Sequence, residues 1–74
     1  MPYSDFDPEY VFSHHSATPA KLATYEAIHV GAKQFAQVIL EQVPECADRH
    51  AVLRLLREAS MLACSAVSLD GRLK

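Results

Sequence analysis

A chain of 74 residues, half of them hydrophobic, forms one small domain, and a core of that size needs disulfides, a metal or self-association to supplement it. Nine acidic against seven basic residues give a formal charge of −2, which argues against a broad electrostatic grip on DNA or RNA but leaves room for a local anion site. No apolar run reaches transmembrane length, and the acidic opening MPYSDFDPEY has no apolar core, so neither a membrane span nor a signal peptide is expected.

Residues 1–17 mix Pro2 and Pro8 with three acidic residues and four aromatics, without clear periodicity, and read as an arm lying on something else. The hairpin domain then covers residues 18–70. Thr18 before Pro19 is a helix start, because the Thr hydroxyl caps and Pro suits the first helical position. The first helix is expected to run to about Gln42. Its apolar residues Tyr25, Ile28, Ala32, Phe35, Ile39 and Val43 recur at three- and four-residue steps, while Glu26, His29, Lys33, Gln37 and Glu41 line another face.

Pro44 stops this helix, and the short turn after it predicts an antiparallel hairpin. Cys46 is a poor cap for the second helix, although Glu45 and Asp48 complement its dipole. That helix is expected from about Ala47 to Leu69, with Val52, Leu55, Leu56, Ala59, Leu62, Ala66 and Leu69 facing the first helix, and with Asp70 and Gly71 ending it. A second row, Leu53, Ser60, Cys64 and Val67, is mostly small and apolar. Residues 59–69 carry no charge, and a helix apolar nearly all round is buried on more than one side. The second row is therefore expected to pack on other chains; lying under the arm is the alternative. Cys46 and Cys64 would stand about 27 Å apart along a continuous helix, too far to pair within the chain, and free thiols fit a reducing compartment.

Signals for catalysis are missing: there is no nucleophile elbow, no glycine-rich phosphate loop and no carboxylate pair set by two rigid elements. The histidines and cysteines lack the paired spacing of a zinc site, so no metal or cofactor is expected. His14 and His15, before a helix, can stack on a planar base and donate to phosphate, or simply be part of a capped loop. Lys33 lies one turn beyond His29 on the same face, where the two form either a small electropositive patch or a solvated surface. Arg54 and Arg57 read as solvated, balanced by Glu58. Lys21, Arg72 and Lys74 near element ends are free to reach a neighbouring chain or ligand. Gly31 inside the first helix costs about 1 kcal/mol relative to alanine, and close helix approach is the ordinary reason for it.

The order Phe12-Ser13-His14-His15-Ser16-Ala17-Thr18, then Tyr25-Glu26-Ala27-Ile28, Val43-Pro44-Glu45 and Glu58-Ala59-Ser60-Met61-Leu62-Ala63 resembles a phage family of small helical-hairpin proteins related to anti-CBASS and anti-Thoeris sponges. The likeness covers about residues 12–69. It implies a non-enzymatic protein of the infected host's cytoplasm that sequesters cyclic nucleotide second messengers and so keeps antiviral effectors off. Related sponges form compact oligomers, often hexamers, that hold cyclic dinucleotides between protomers and sometimes cyclic trinucleotides at another site. In that family an aromatic residue in the arm stacks on a base and a basic residue early in the first helix contacts phosphate. His14 falls at the first position and His29 at the second. Imidazole can stack and donate but carries no permanent charge at neutral pH. Many relatives have arginine near the end of the second helix, where this chain has Leu69, with Arg72 three residues on.

The expected molecule is thus an all-α antiparallel two-helix hairpin with an N-terminal arm, assembling into a helical homo-oligomer, with a hexamer as the leading stoichiometry. Its ligand would be a cyclic di- or trinucleotide, with Phe12, His14 and His15 on bases and His29, Lys33 and Arg72 on phosphates. The alternative is a helical module that inhibits or stabilises a protein partner through the row from Leu53 to Val67.

Overall fold

The computed structural model describes residues 7–71; Arg72 lies outside them. Three helices follow one another: α1 (Pro8–Val11), α2 (Pro19–Gln42) and α3 (Ala47–Ser68). Among the described residues there is no strand.

The arm is more ordered than its lack of periodicity suggested. Asp7 caps α1 by accepting from the backbone N–H groups of Glu9 (3.1 Å) and Tyr10 (3.5 Å), and Pro8 occupies the first turn. This is the cap-then-proline grammar that starts α2, where Thr18 Oγ1 accepts from the Lys21 N–H at 3.2 Å. The end of α2 is set by Val43, which is extended (φ −101°, ψ 129°), as the residue before proline must be. Cys46 gives α3 no side-chain cap.

α2 and α3 pack side by side as the hairpin. On α2 the half-buried or buried positions are Lys21, Tyr25, Ile28, Ala32, Ala36, Ile39 and Val43, close to the expected stripe. Phe35 departs from it: the ring is 54% exposed, and Ala36 takes its place against α3.

On α3 the expected facing holds for Leu56, Ala66 and Leu69, which are half-buried or buried, and fails for the other four residues of the stripe. Val52, Leu55, Ala59 and Leu62 are exposed, Leu55 at 55% and Leu62 at 68%. The row Leu53, Ser60, Cys64 and Val67, expected to meet other chains, is half-buried along with Arg49, Leu56 and Ala63. The reason lies at the two ends of α3. At its start, Arg49 Nη1 donates to the Val43 carbonyl at 3.3 Å, which turns the face 49-53-56-60-63-67 toward α2. At its end, Leu69 is 4% exposed, and its carbonyl accepts from the Tyr10 hydroxyl at 3.1 Å. Small residues on both helices, Ala32 and Ala36 opposite Ser60, Ala63 and Cys64, suit a close approach. A charge at Cys64 or Val67 would therefore injure the hairpin itself before it disturbed any contact between chains.

The α3 C-terminus closes in a Schellman motif: Gly71 N–H donates to the Ala66 carbonyl at 2.9 Å and Asp70 N–H to Val67 at 3.2 Å. Asp70 and Gly71 both sit at positive φ, 54° and 76°. Lys21 serves this terminus too, donating to the Ser68 carbonyl at 3.2 Å and pairing with Asp70 at 3.2 Å. It is thus committed within the chain rather than free for a neighbour. A cation there complements the dipole and satisfies a terminal carbonyl.

Lys21→Met keeps the stem and removes the ammonium. Because Asp70 is exposed, the ion pair is worth little and the lost carbonyl contact dominates; the expected loss is about 1 kcal/mol, read as a lower thermal midpoint by circular dichroism. An unchanged midpoint would show that Lys21 does not hold α3. Ile39→Ala, at a site 3% exposed, should cost about 2–5 kcal/mol.

Candidate ligand-binding groove

A groove runs along one edge of the hairpin, between α2 and α3. Its larger part, about 440 Å³, is lined by Tyr25 and His29 from α2 and by Ser60, Met61, Cys64, Ser65 and Ser68 from α3. A second part, about 240 Å³, shares Ser60 and adds Ala32, Lys33, Ala36, Leu53, Leu56 and Arg57. Both parts are open to solvent on one side. The spacing of four between Tyr25, His29 and Lys33 puts them in one line on α2, and Arg57, Met61 and Ser65 form the matching line on α3.

Chemically the groove has an apolar floor with polar fittings. His29 Nε2 lies 3.7 Å from the Cys64 thiol, Ser60 donates to the Arg57 carbonyl at 2.9 Å, and Lys33 and Arg57 stand on opposite helices at the narrower part. Neither carboxylate nor carboxamide lines either part. A groove with cations, hydroxyls and an imidazole but no acidic group favours an anion with a planar or apolar body.

The sequence-expected residues fall into three groups. His29 and Lys33 lie together on the groove, as their one-turn spacing implied. The arm residues sit apart from it in the described contacts. Phe12 is 80% exposed and His14 is exposed; His15 Nε2 is 2.6 Å from the Tyr10 carbonyl. A carbonyl can only accept, so that nitrogen carries the proton. The His15 ring also meets the Tyr10 ring at a centroid distance of 4.5 Å and a tilt of 59°. With the Tyr10 hydroxyl on the Leu69 carbonyl, His15 ties the arm to the open end of the hairpin. The third group is Arg72, outside the described residues.

Arg57, which read with Arg54 as solvated and balanced by Glu58, is exposed as expected but also lines the groove, a place the sequence reading did not give it. The signal for it was available, since Arg57, Ser60 and Cys64 follow one another at three- and four-residue steps. It was obscured because the face of α3 turned toward α2 was misjudged by roughly a quarter turn. Among the described residues no group of three or more His, Cys, Asp or Glu side chains is placed to hold a metal ion, and no helix is long and apolar enough to cross a membrane. Cys46 and Cys64 are both free thiols.

No curated protein and no solved structure matches the chain significantly. A family model does: the one described as Acb2/Tad1, hairpin domain, matches residues 7–68, a span that takes in α1, α2 and the whole of α3.

Proposed function

Since the chain belongs to the Acb2/Tad1 hairpin-domain family, a family of anti-CBASS and anti-Thoeris sponges that bind cyclic nucleotides, we propose that it sequesters cyclic oligonucleotide immune messengers in the host cytoplasm without cleaving them. Cyclic dinucleotides are the first candidates and cyclic trinucleotides the second. The observation that carries this reading is the acid-free groove bearing His29, Lys33 and Arg57 above an apolar floor.

In this reading Phe12 and His14 stack on bases, His15 holds the arm that presents them, and His29 and Lys33 meet phosphate. Arg57 joins them with a permanent charge and a planar set of donors suited to phosphate. Arg72 keeps its place as a phosphate contact on sequence grounds alone. The groove is open-sided, so a single hairpin cannot surround a cyclic dinucleotide. A second protomer has to close over it, and a homo-oligomer, with a hexamer as the leading candidate, supplies that wall. A useful sponge needs nanomolar affinity, about −12 kcal/mol. Two base stacks at roughly 1–3 kcal/mol each leave most of it to charged contacts and a preorganised assembly.

Calorimetry against a panel of cyclic di- and trinucleotides, with recovery of intact ligand after heating, tests the reading. Tight binding to at least one member is expected, and no binding across the panel would overturn it. Lys33→Ala and Arg57→Ala should each weaken that binding about tenfold or more, with helicity unchanged. If the protein-module alternative holds instead, a stoichiometric host protein replaces the homo-oligomer and no nucleotide binds.

A further inference from the structure

The chemistry of the groove changes along its length. The narrower part, toward the Pro44 turn, holds Lys33 and Arg57. The wider part, toward the start of α2 and the end of α3, has no Lys, Arg, Asp or Glu in its lining. Apart from the His29 imidazole, Tyr25 carries the one ring among the residues that line either part. Met61 lines the same part from the opposite helix and is 59% exposed, and a flexible thioether is a favourable neighbour for a flat ring. The hydroxyls divide in a parallel way. Thr24 and Ser60 donate to carbonyls of their own helices, Ala20 at 3.0 Å and Arg57 at 2.9 Å, as helical Ser and Thr can do. Tyr25, Ser65 and Ser68 are half-buried and line the wide part, and their hydroxyls have no hydrogen-bond partner among the described residues.

We infer that the wide part is the seat of one nucleobase, with the Tyr25 ring as its platform, Met61 on the facing helix, and the hydroxyls of Tyr25, Ser65 and Ser68 at its polar edge. A neutral heterocycle is the occupant this chemistry selects. Phosphate requires the cations, and those stand in the narrow part. A plain hydrocarbon would take water from three hydroxyls and return no hydrogen bond. A base offers a flat face to stack and an edge of donors and acceptors, and a hydroxyl can meet either kind. Tyr25 and Lys33 lie two turns apart, about 12 Å along the axis, so a base at the first and a phosphate at the second are separated on the scale of one nucleotide. The arm joins the hairpin at this same end, through the Tyr10 hydroxyl on the Leu69 carbonyl, which leaves Phe12 and His14 for a second base.

This inference rests on the proposed function and deepens it by naming the part of the ligand that each end of the groove takes, yet its first test needs no cyclic nucleotide. Adenosine, which has a base and no phosphate, is titrated into the full chain up to its solubility limit and followed by NMR, with inorganic phosphate as the counterpart. Adenosine should shift the Tyr25 ring and Met61 methyl signals, and its own base protons should move upfield in the ring current. Phosphate should shift the Lys33 and Arg57 side chains instead. Tyr25→Phe should keep the upfield movement, and Tyr25→Leu should abolish it with helicity unchanged. For a cyclic dinucleotide that the calorimetric panel finds bound, Tyr25→Leu should weaken affinity about tenfold or more, and the double variant Ser65→Ala, Ser68→Ala about fivefold or more. Adenosine that shifts neither Tyr25 nor Met61, or shifts them no more than phosphate does, would overturn the inference. Should Tyr25→Leu fail to fold, the wild-type titration and the serine variant still decide. A cyclic dinucleotide held equally tightly by wild type and Tyr25→Leu would sink this seat and leave the sponge standing; an empty panel beside an adenosine shift at Tyr25 would do the reverse.

Discussion

The rotation of α3 about its own axis is the constraint from which the other features of this hairpin follow. A helix that carries two apolar seams leaves open which of them it buries. Here two polar anchors make the choice. Arg49 on the Val43 carbonyl holds the start of the helix, and the Tyr10 hydroxyl and Lys21 ammonium hold its last carbonyls. With both ends fixed, Leu53, Ser60, Cys64 and Val67 meet α2, the groove opens where Met61 and Arg57 leave it, and the larger side chains of Val52, Leu55 and Leu62 are turned outward. A rotation of about 100°, one residue's worth, would close the groove and bury the outward seam.

Economy of side chains explains why hydrogen bonds rather than bulk decide the matter. Serine, alanine and cysteine bury little area apiece, so the hydrophobic gain of the observed face is smaller than that of the leucine-rich one. The hairpin accepts that deficit because backbone carbonyls at a helix terminus must be satisfied somewhere, and because small residues let the two helix axes approach. The larger area is then left for another surface to claim.

Much of the architecture was legible in the residues. Thr18-Pro19, Pro44 and Asp70-Gly71 mark the ends of the two long helices within a residue or so, since each acts through local stereochemistry that neighbours cannot override. His29 and Lys33 could be placed on one line for the same local reason. α1 was legible as well, because Asp7-Pro8-Glu9 carries the cap-and-proline signal of α2, but the absence of periodicity in a single turn hid it. The facing of α3 was not. Period analysis finds seams and ranks them by hydrophobicity, and it has no access to a tyrosine 59 residues away that bonds to Leu69. The place of Arg57 on the groove was hidden for that reason, as were the partners of Lys21, Ser68 and Asp70, which lie across the hairpin.

The scarcity of buried side chains has a consequence for the protein's lifetime. With Ile39 and Leu69 the buried hydrophobic residues among those described, a solitary hairpin has few side chains holding it shut, and local opening is what exposes a chain to proteases. In the homo-oligomer proposed above, each copy would be protected by its neighbours through mass action. Under such linkage, resistance to turnover would rise with the concentration of the chain.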